Sequence, residues 1–331
     1  MDKLTEQILR RRMHGLYLSR PCDDITQLSH ELLGLHCWFS RNVAFSALIR
    51  GAGLTGWKTA LTKTWIHHAL HGVVYEDLPL LLALQAEKHQ QWFATDKRAS
   101  EIAERVISLM EDGVYSRAEM RKIFAYDLDE DTIRWVFSGW GGIFVPLAGC
   151  GKVAFRDMTS RDFDLISAEP TLTADEALPE ILRRYFKAYG PATLADAAWF
   201  LGMWKEDKKK LLVQNMDAYA RIEHGKTVYY YIEDNADLND IPALMLLSGF
   251  DPAVVSYIDR GAIMPPEHKK KVVNRAGVCL PSIAVDGVIV GLWNIKKREP
   301  VVEFFTEQPA RIQKAALDLV DDIRRHTAGV V

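Results

Sequence analysis

Residues 34–38, Gly-Leu-His-Cys-Trp, hold the side chains of this chain that are best suited to chemistry. One ring nitrogen of a neutral His36 accepts a hydrogen bond, so this residue could orient a water molecule or take a proton from it near neutral pH. Trp38 cannot take a proton, because its indole N–H only donates, but its face could stack on a base or stabilise a cation. The alternative is structural: His36 would pack where two helices meet, and Trp38 would belong to the core. We expect Cys37, between them, to be a small buried side chain.

A group of three histidines, His67, His68 and His71, is the second candidate for chemistry, since imidazole is a common zinc ligand. As neighbours on a strand, however, His67 and His68 would point to opposite faces. No carboxylate or thiol follows before Glu76. We therefore expect neither a metal site nor a cofactor.

Basic side chains are concentrated near the C-terminus. The whole chain has 41 basic and 44 acidic residues and a net charge of −3, which excludes a uniformly basic surface. Residues 260–298 have eight basic against two acidic side chains, a net charge of +6. Because this stretch attracts polyanions locally, we take five of its residues as candidate DNA contacts: Arg260, Lys269, Lys270, Lys271 and Arg275. The alternative is a solvated lysine-rich helix face.

Length and composition are those of a globular protein with more than one domain. The chain has 331 residues, of which 48% are hydrophobic and 26% charged. The four cysteines form no CxxC pair, which predicts neither a zinc site nor a disulfide framework and fits a reducing compartment. The sequence shows no signal peptide, and its longest uncharged run, residues 135–151, is too rich in glycine for a membrane helix. We expect a cytoplasmic monomer without membrane contact.

An order of helix, helix and hairpin occurs twice along the chain. In residues 96–170 the predicted elements are a helix from a capping box at Ser116 and Glu119 to about Phe124, a helix over Asp129 to Phe137, and strands at Ile143 to Leu147 and Lys152 to Arg156. In residues 171–235 they are a helix capped by Thr193 that ends near Gly202, a helix over Trp204 to Val213, and strands at Ala218 to Glu223 and Lys226 to Ile232. Each copy follows another helix, as in a winged helix.

A less regular third copy occupies residues 1–95 and ends in a predicted hairpin over Thr62 to Tyr75. From Ile283 onward the pattern is rich in strands, with a hairpin turn at Asp286-Gly287, before an amphipathic helix over Gln308 to Arg325. The sequence therefore predicts an α+β fold with three tandem winged helices, at residues 1–95, 96–170 and 171–235, and a separate segment at 236–331. Winged helices also bind proteins, so DNA is favoured as the partner without being fixed.

Several motifs, taken in order, resemble those of the AlkZ-like winged-helix DNA glycosylases. They are Tyr189-Gly-Pro-Ala-Thr-Leu-Ala-Asp196 continued by Trp199 and Gly202, Phe250-Asp251 with Asp259-Arg260, Asp286-Gly287 with Gly291 and Trp293, and the Trp65 to Val74 stretch that includes His71. The resemblance spans most of the chain. It implies that the three winged helices and a small C-terminal β-barrel surround double-stranded DNA. It also implies hydrolysis of the N-glycosidic bond of alkylated purines, crosslinked ones included. It places His71 near the site, and we take His71 as a further candidate DNA contact.

The sequence departs from the family pattern at the residues that would carry out the reaction. In that family a Gln-x-Gln or Gln-x-Asp segment positions the attacking water, and here the two polar positions are His36 and Trp38, so the second acceptor is lost. Two further matching residues, Asp251 and Arg260, are expected to pair with each other or with the backbone. Three hypotheses stay open: a glycosylase with His36 as the water-positioning base, a catalytically silent DNA-binding protein, and a protein-interaction scaffold, which the acidic residues 96–259 favour. Whether the protein is an enzyme is left open.

Overall fold

The structure is a computed structural model, and it describes residues 2–203, 216–234, 238 and 240–328. The helices in this part of the chain are α1 (Lys3–Gly15), α2 (Ile25–Glu31), α3 (Ser40–Ile49), α4 (Trp57–Ala60), α5 (Leu78–Thr95), α6 (Lys97–Glu111), α7 (Arg117–Phe124), α8 (Glu130–Val136), α9 (Phe144–Gly149), α10 (Ala174–Tyr189), α11 (Leu194–Phe200), α12 (Pro252–Val255), α13 (Lys269–Val272) and α14 (Ala310–Thr327). None of them has the length and apolar character that a membrane crossing requires.

The strands among these residues are β1 (Leu35–His36), β2 (Thr62–Ile66), β3 (Ala69–Val73), β4 (Val153–Phe155), β5 (Phe163–Leu165), β6 (Ala220–His224), β7 (Thr227–Tyr231), β8 (Leu244–Leu247), β9 (Ser282–Val285), β10 (Val288–Lys296) and β11 (Glu299–Phe304). Helices and antiparallel strands together confirm the predicted α+β class. The chain divides into two compact units: unit 1 comprises residues 1–55 and 182–331, and unit 2 comprises residues 56–181.

The C-terminal part of unit 1 is an open antiparallel sheet in the order β11-β10-β9-β8. The amphipathic stripe of α14 packs on it, with Val320 and Ile323 in one buried cluster with Ile283 and Trp293. A barrel would need its two edge strands to pair, whereas here β8 and β11 stay at opposite edges while a helix covers the apolar face. The β-barrel that we expected in residues 236–331 is therefore wrong for the described residues.

The two turns of this sheet use different residues for the same backbone shape. The β9–β10 turn is at Asp286-Gly287, as predicted, with φ angles of +47° and +81°. The β10–β11 turn is at Lys297-Arg298, with φ angles of +51° and +67°. Two left-handed residues are what a tight type I′ hairpin requires, and Asp-Gly meets that need easily. For Lys and Arg the left-handed conformation costs about 1–2 kcal/mol per residue.

The other elements of unit 1 form where local signals predict them. Thr193 and Asp196 make the complete capping box that starts α11, because each side chain accepts from the other's backbone N–H. The hairpin of β6 and β7 is confirmed, with His224 opposite Thr227. The helix predicted over Trp204 to Val213 lies outside the described residues.

Unit 2 is organised around an aromatic core. Phe144 and Phe163 are fully buried and stack with ring centroids 4.3 Å apart. The amphipathic α6 contributes Val106 and Met110, and α7 contributes Phe124, to the same cluster. The strands of this unit lie in the order β3-β2-β4-β5, and the hairpin of β2 and β3 confirms the one predicted over Thr62 to Tyr75.

One predicted strand of unit 2 is wrong. Residues 143–147 belong to a helical turn and to α9, and β4 pairs with β5 and β2 instead. A short apolar run fits a buried helix as well as a strand, so periodicity alone does not separate the two. The predicted box at Ser116 also differs in detail, because α7 begins there without a hydrogen bond from that side chain to the backbone.

Candidate functional site

The His36 imidazole is stacked on the ring of Phe250, and both residues belong to unit 1. Their ring centroids are 4.2 Å apart and their planes differ by 9°. Both residues are half-buried, so the imidazole is not enclosed in the core. Cys37 is fully buried, as predicted, while Trp38 is half-buried. Of the two predicted residues, His36 is thus held against a second ring, that of Phe250.

A sharp turn of the backbone delivers His36 to this position. Helix α2 ends after Glu31, and Leu33 and Gly34 follow with φ angles of +56° and +103°. The N–H of Gly34 donates to the carbonyl of Ser29 at 2.8 Å, which closes the end of the helix. The chain then enters β1 directly.

Phe250 has a left-handed backbone, with φ at +54°. Such a conformation is rare for an aromatic residue and costs about 1–3 kcal/mol, so it persists only where the surroundings enforce it. The Phe250 N–H donates to the carbonyl of Cys279 at 3.2 Å. The residue before Phe250, Gly249, lies close to Asn42. A Cβ added to Gly249 would be only 2.9 Å from the side-chain nitrogen of Asn42. The loop is therefore tightly fixed around the ring.

Asp251 pairs with Arg50, and not with Arg260 as the sequence allowed. The Arg50 guanidinium donates to the two carboxylate oxygens at 2.8 and 3.1 Å, and both side chains are fully buried. Asp251 also accepts from the backbone N–H of Ser248 and of Ala253, each at 3.0 Å. The two partners are 201 positions apart in the sequence and leave no local signal, so sequence reasoning missed Arg50.

The basic residues that we selected for DNA lie in different surroundings within unit 1. Lys269, Lys270 and Arg275 are exposed, and in the described part of the chain no carboxylate lies within 4.0 Å of their side-chain nitrogens. Lys271 lies over the ring of Phe305, with its Nζ 4.7 Å from the ring centroid. Arg260 is half-buried, and its Nε donates to the backbone carbonyl of Tyr257 at 3.0 Å. It therefore pairs with the backbone.

The exposed basic residues connect to the His36 site through one stretch of backbone. Val273, which follows α13, forms a β-bridge with Cys279. The carbonyl of Cys279 accepts from the N–H of Phe250, the ring that stacks on His36. The imidazole and the exposed cations therefore belong to one connected part of unit 1.

His71 is buried inside unit 2, with 6% of its surface exposed. Its Nδ1 lies 3.2 Å from the carbonyl oxygen of Ala69. Burial lowers the pKa of His71 to about 4, although hydrogen bonding to the carbonyls of Ala69 and Ile66 opposes the shift. The ring is therefore neutral at pH 7, and its burial favours a role in holding the hairpin over a direct contact with DNA.

We had assumed that His67 and His68 lie on a strand, and this assumption is wrong. They form the turn between β2 and β3, with φ angles of +49° and +61°. The ring of His67 meets that of His71 edge to face, with centroids 5.6 Å apart. Within the described ranges, no group of three or more His, Cys, Asp or Glu side chains is arranged to hold a metal ion.

Several residues that carried the resemblance have structural contacts. The carboxylate of Asp196 caps α11 and also accepts from the backbone N–H of Ile258 at 2.7 Å. The indole of Trp199 donates to the carbonyl of Val255 at 3.0 Å. These motifs therefore tie α11 to the last residue of α12 and to the segment that follows it.

Comparison with known proteins places the chain in a family. A family profile described as DNA glycosylase AlkZ-like matches residues 58–322. An interstrand DNA cross-link repair glycosylase of Streptomyces sahachiroi is 26% identical over 240 residues, which are 64% of this chain and 62% of that protein's length. The solved structure of Streptomyces sahachiroi DNA glycosylase AlkZ superposes with a TM-score of 0.78 over 98% of each chain, at 22% identity, and thus shares the fold. The chain belongs to the AlkZ-like DNA glycosylase family.

Proposed function

We propose that this protein is a DNA N-glycosylase that removes alkylated or crosslinked purines from double-stranded DNA, with His36 positioning the attacking water. The observation that carries the proposal is the His36–Phe250 stack in a chain of this family. The half-buried imidazole stands where the resemblance places a glutamine of the family, and its ring is stacked on that of Phe250. The segments 1–95, 96–170 and 171–235 would act as three winged helices on the duplex. The expected place of action is the cytoplasm, as a monomer.

The chemistry needs little acid catalysis for a cationic lesion. When the C1′–N9 bond of an N7-alkylated guanine breaks, the bond electrons go to the purine, which leaves as a neutral base. A cationic, oxocarbenium-like sugar is left, and water adds to C1′. The neutral His36 imidazole accepts the proton that this water loses and then passes it to solvent. The products are the free alkylated base and an abasic site.

Trp38 takes the place of the second polar residue of the family segment and cannot accept a proton. Its indole face is suited to stacking on a base or to stabilising a cation near the reacting sugar. We assign Lys269, Lys270 and Arg275 to contacts with DNA phosphates, because they are exposed and have no carboxylate partner among the described residues. Arg260 and Lys271, already engaged with a carbonyl and a ring, would contribute less.

The decisive test is release of 7-methylguanine from a duplex under single-turnover conditions, with the free base measured by mass spectrometry. The wild-type protein should release the base above the spontaneous rate, and His36→Ala should lose about 100-fold or more in rate. A duplex with an N7-linked crosslink serves as the second substrate. If the wild-type protein in excess leaves both duplexes intact, the glycosylase proposal fails.

The runner-up function is DNA binding without turnover. The loss of the second acceptor at Trp38 favours it, since two polar groups hold the water in the family segment. This alternative predicts tight binding to alkylated or distorted duplex with no base release, and His36→Ala would leave the affinity unchanged.

A further inference from the structure

We infer that Phe250 is a positioning residue that fixes the plane and direction of the His36 imidazole; this inference rests on the proposed function of His36. Phe250 lies 214 positions further along the chain. Its contact with His36 nevertheless defines the geometry of the site, because the two rings lie face to face with centroids 4.2 Å apart.

His36 is the second residue of the two-residue strand β1. Rotation about its terminal torsion would drive one edge of the imidazole into the face of Phe250, because the two planes differ by only 9°. The stack also covers one face of the imidazole, and the Nδ1 atom of His36 is buried. On the proposed function, the attacking water would therefore be held at Nε2, the other ring nitrogen.

The backbone of Phe250 supports the same conclusion. Glycine adopts a φ of +54° without a steric penalty, whereas phenylalanine does not. If this position served only to turn the backbone, glycine would be the more stable residue there. The ring is what this position contributes. Three anchors hold it: Gly249 against Asn42, the Phe250 N–H on the Cys279 carbonyl, and Asp251 on Arg50.

The test compares Phe250→Leu, which removes the ring, with Phe250→Tyr, which keeps it. In protein with ¹³C- and ¹⁵N-labelled histidine, the His36 ring signals are assigned by their loss in His36→Ala. In the wild-type protein the stacked ring should shift the His36 carbon-bound ring protons upfield. Phe250→Leu should remove that shift, Phe250→Tyr should keep it, and Tyr126→Leu, at a side chain that is 90% exposed, should not change it.

Base release gives the second readout. Phe250→Leu should lower the single-turnover rate constant by about 10- to 100-fold, with DNA affinity changed less than about twofold, and Phe250→Tyr should recover most of the rate. In the His36→Ala background, Phe250→Leu should cause no further loss, since its effect passes through the imidazole. A thermal melt checks folding, and Phe250→Met replaces the Leu variant if that variant does not fold.

Two results would overturn the inference: His36 signals that are the same with and without the Phe250 ring, or an equal loss of rate from Phe250→Leu with and without His36. A wild-type protein that releases no base would refute the proposed function instead. The NMR comparison would then still decide whether Phe250 orients His36.

Discussion

Arg50 and Asp251 form a fully buried ion pair that joins the residue after α3 to the residue that follows Phe250. Every charged oxygen and nitrogen of the contact has a partner, because Asp251 also accepts two backbone N–H groups and Arg50 also donates to the carbonyl of Leu16 at 2.8 Å. The pair thus holds the loop of the His36 site against the helical part of unit 1.

Removing one member of this pair should destabilise the protein strongly. We expect Asp251→Ala to lower the free energy of unfolding by about 3–5 kcal/mol, because it leaves the Arg50 charge buried without its partner. Urea denaturation measures the change. The control is Asp322→Ala, at an exposed pair with Arg325, which should cost no more than about 1 kcal/mol. Equal effects of the two substitutions would contradict the structural role of the buried pair.

The rate of base release should depend on whether the side chain at position 36 can accept a hydrogen bond, more than on the size of that side chain. His36→Gln restores one residue of the family segment and an acceptor for water, so it should recover part of the base release that His36→Ala loses. The wild-type rate should fall once the imidazole is protonated, because a protonated imidazole cannot accept a proton from water. The His36→Gln rate should lack that fall. The pH profile of single-turnover base release checks both expectations, and an acid limb that persists in the Gln variant would exclude His36 as its source.

The exposed lysines of α13 should govern the salt dependence of DNA binding. If both contact phosphates, the double variant Lys269→Ala and Lys270→Ala should reduce the slope of log K against log salt by about 1.8. Fluorescence anisotropy at several salt concentrations measures this slope. Lys97→Ala, at a 91% exposed lysine of unit 2, is the matched control and should leave the slope unchanged. An unchanged slope in the double variant would remove α13 from the DNA-binding surface.

His71 should make the stability of the protein depend on pH. Its pKa of about 4 in the folded protein lies below the ordinary value near 6.5, so the unfolded chain takes up this proton first as the pH falls. Stability should therefore decline between pH 6.5 and 4, by about 3 kcal/mol from this group, and this contribution should level off below pH 4. Denaturation of His71→Asn across this range should show a smaller decline. Exposed His326→Gln should behave like the wild type, and a His71 pKa near 6.5 by NMR would disprove the expectation.

The β10–β11 turn should be open to stabilisation. The paired substitutions Lys297→Asn and Arg298→Gly place a favoured type I′ sequence at two left-handed positions and should raise the free energy of unfolding by about 1–2 kcal/mol. The pair Lys297→Ala and Arg298→Ala removes the same charges without relieving the backbone, so it should not stabilise the protein. Urea denaturation of both variants separates the two effects.

Local signals were sufficient for much of the secondary structure. The capping box of Thr193 and Asp196, the Asp286-Gly287 turn and the apolar stripe of α14 all act between residues a few positions apart, and all three appear as predicted. The family and the candidate segment around His36 also follow from residues in the sequence. The order of these motifs alone places the chain among the AlkZ-like glycosylases, as the profile match confirms.

Only the tertiary structure decided the contacts that complete the site and the sheet. Residues 143–147 are helical because the aromatic core of unit 2 accepts a helix there, although their apolar pattern fits a strand equally well. The open edges of the C-terminal sheet depend on where α14 packs. The stack of Phe250 on His36 and the pairing of Asp251 with Arg50 join residues more than 200 positions apart. Sequence periodicity reports only which face of an element is buried, and it does not say which distant residue covers that face.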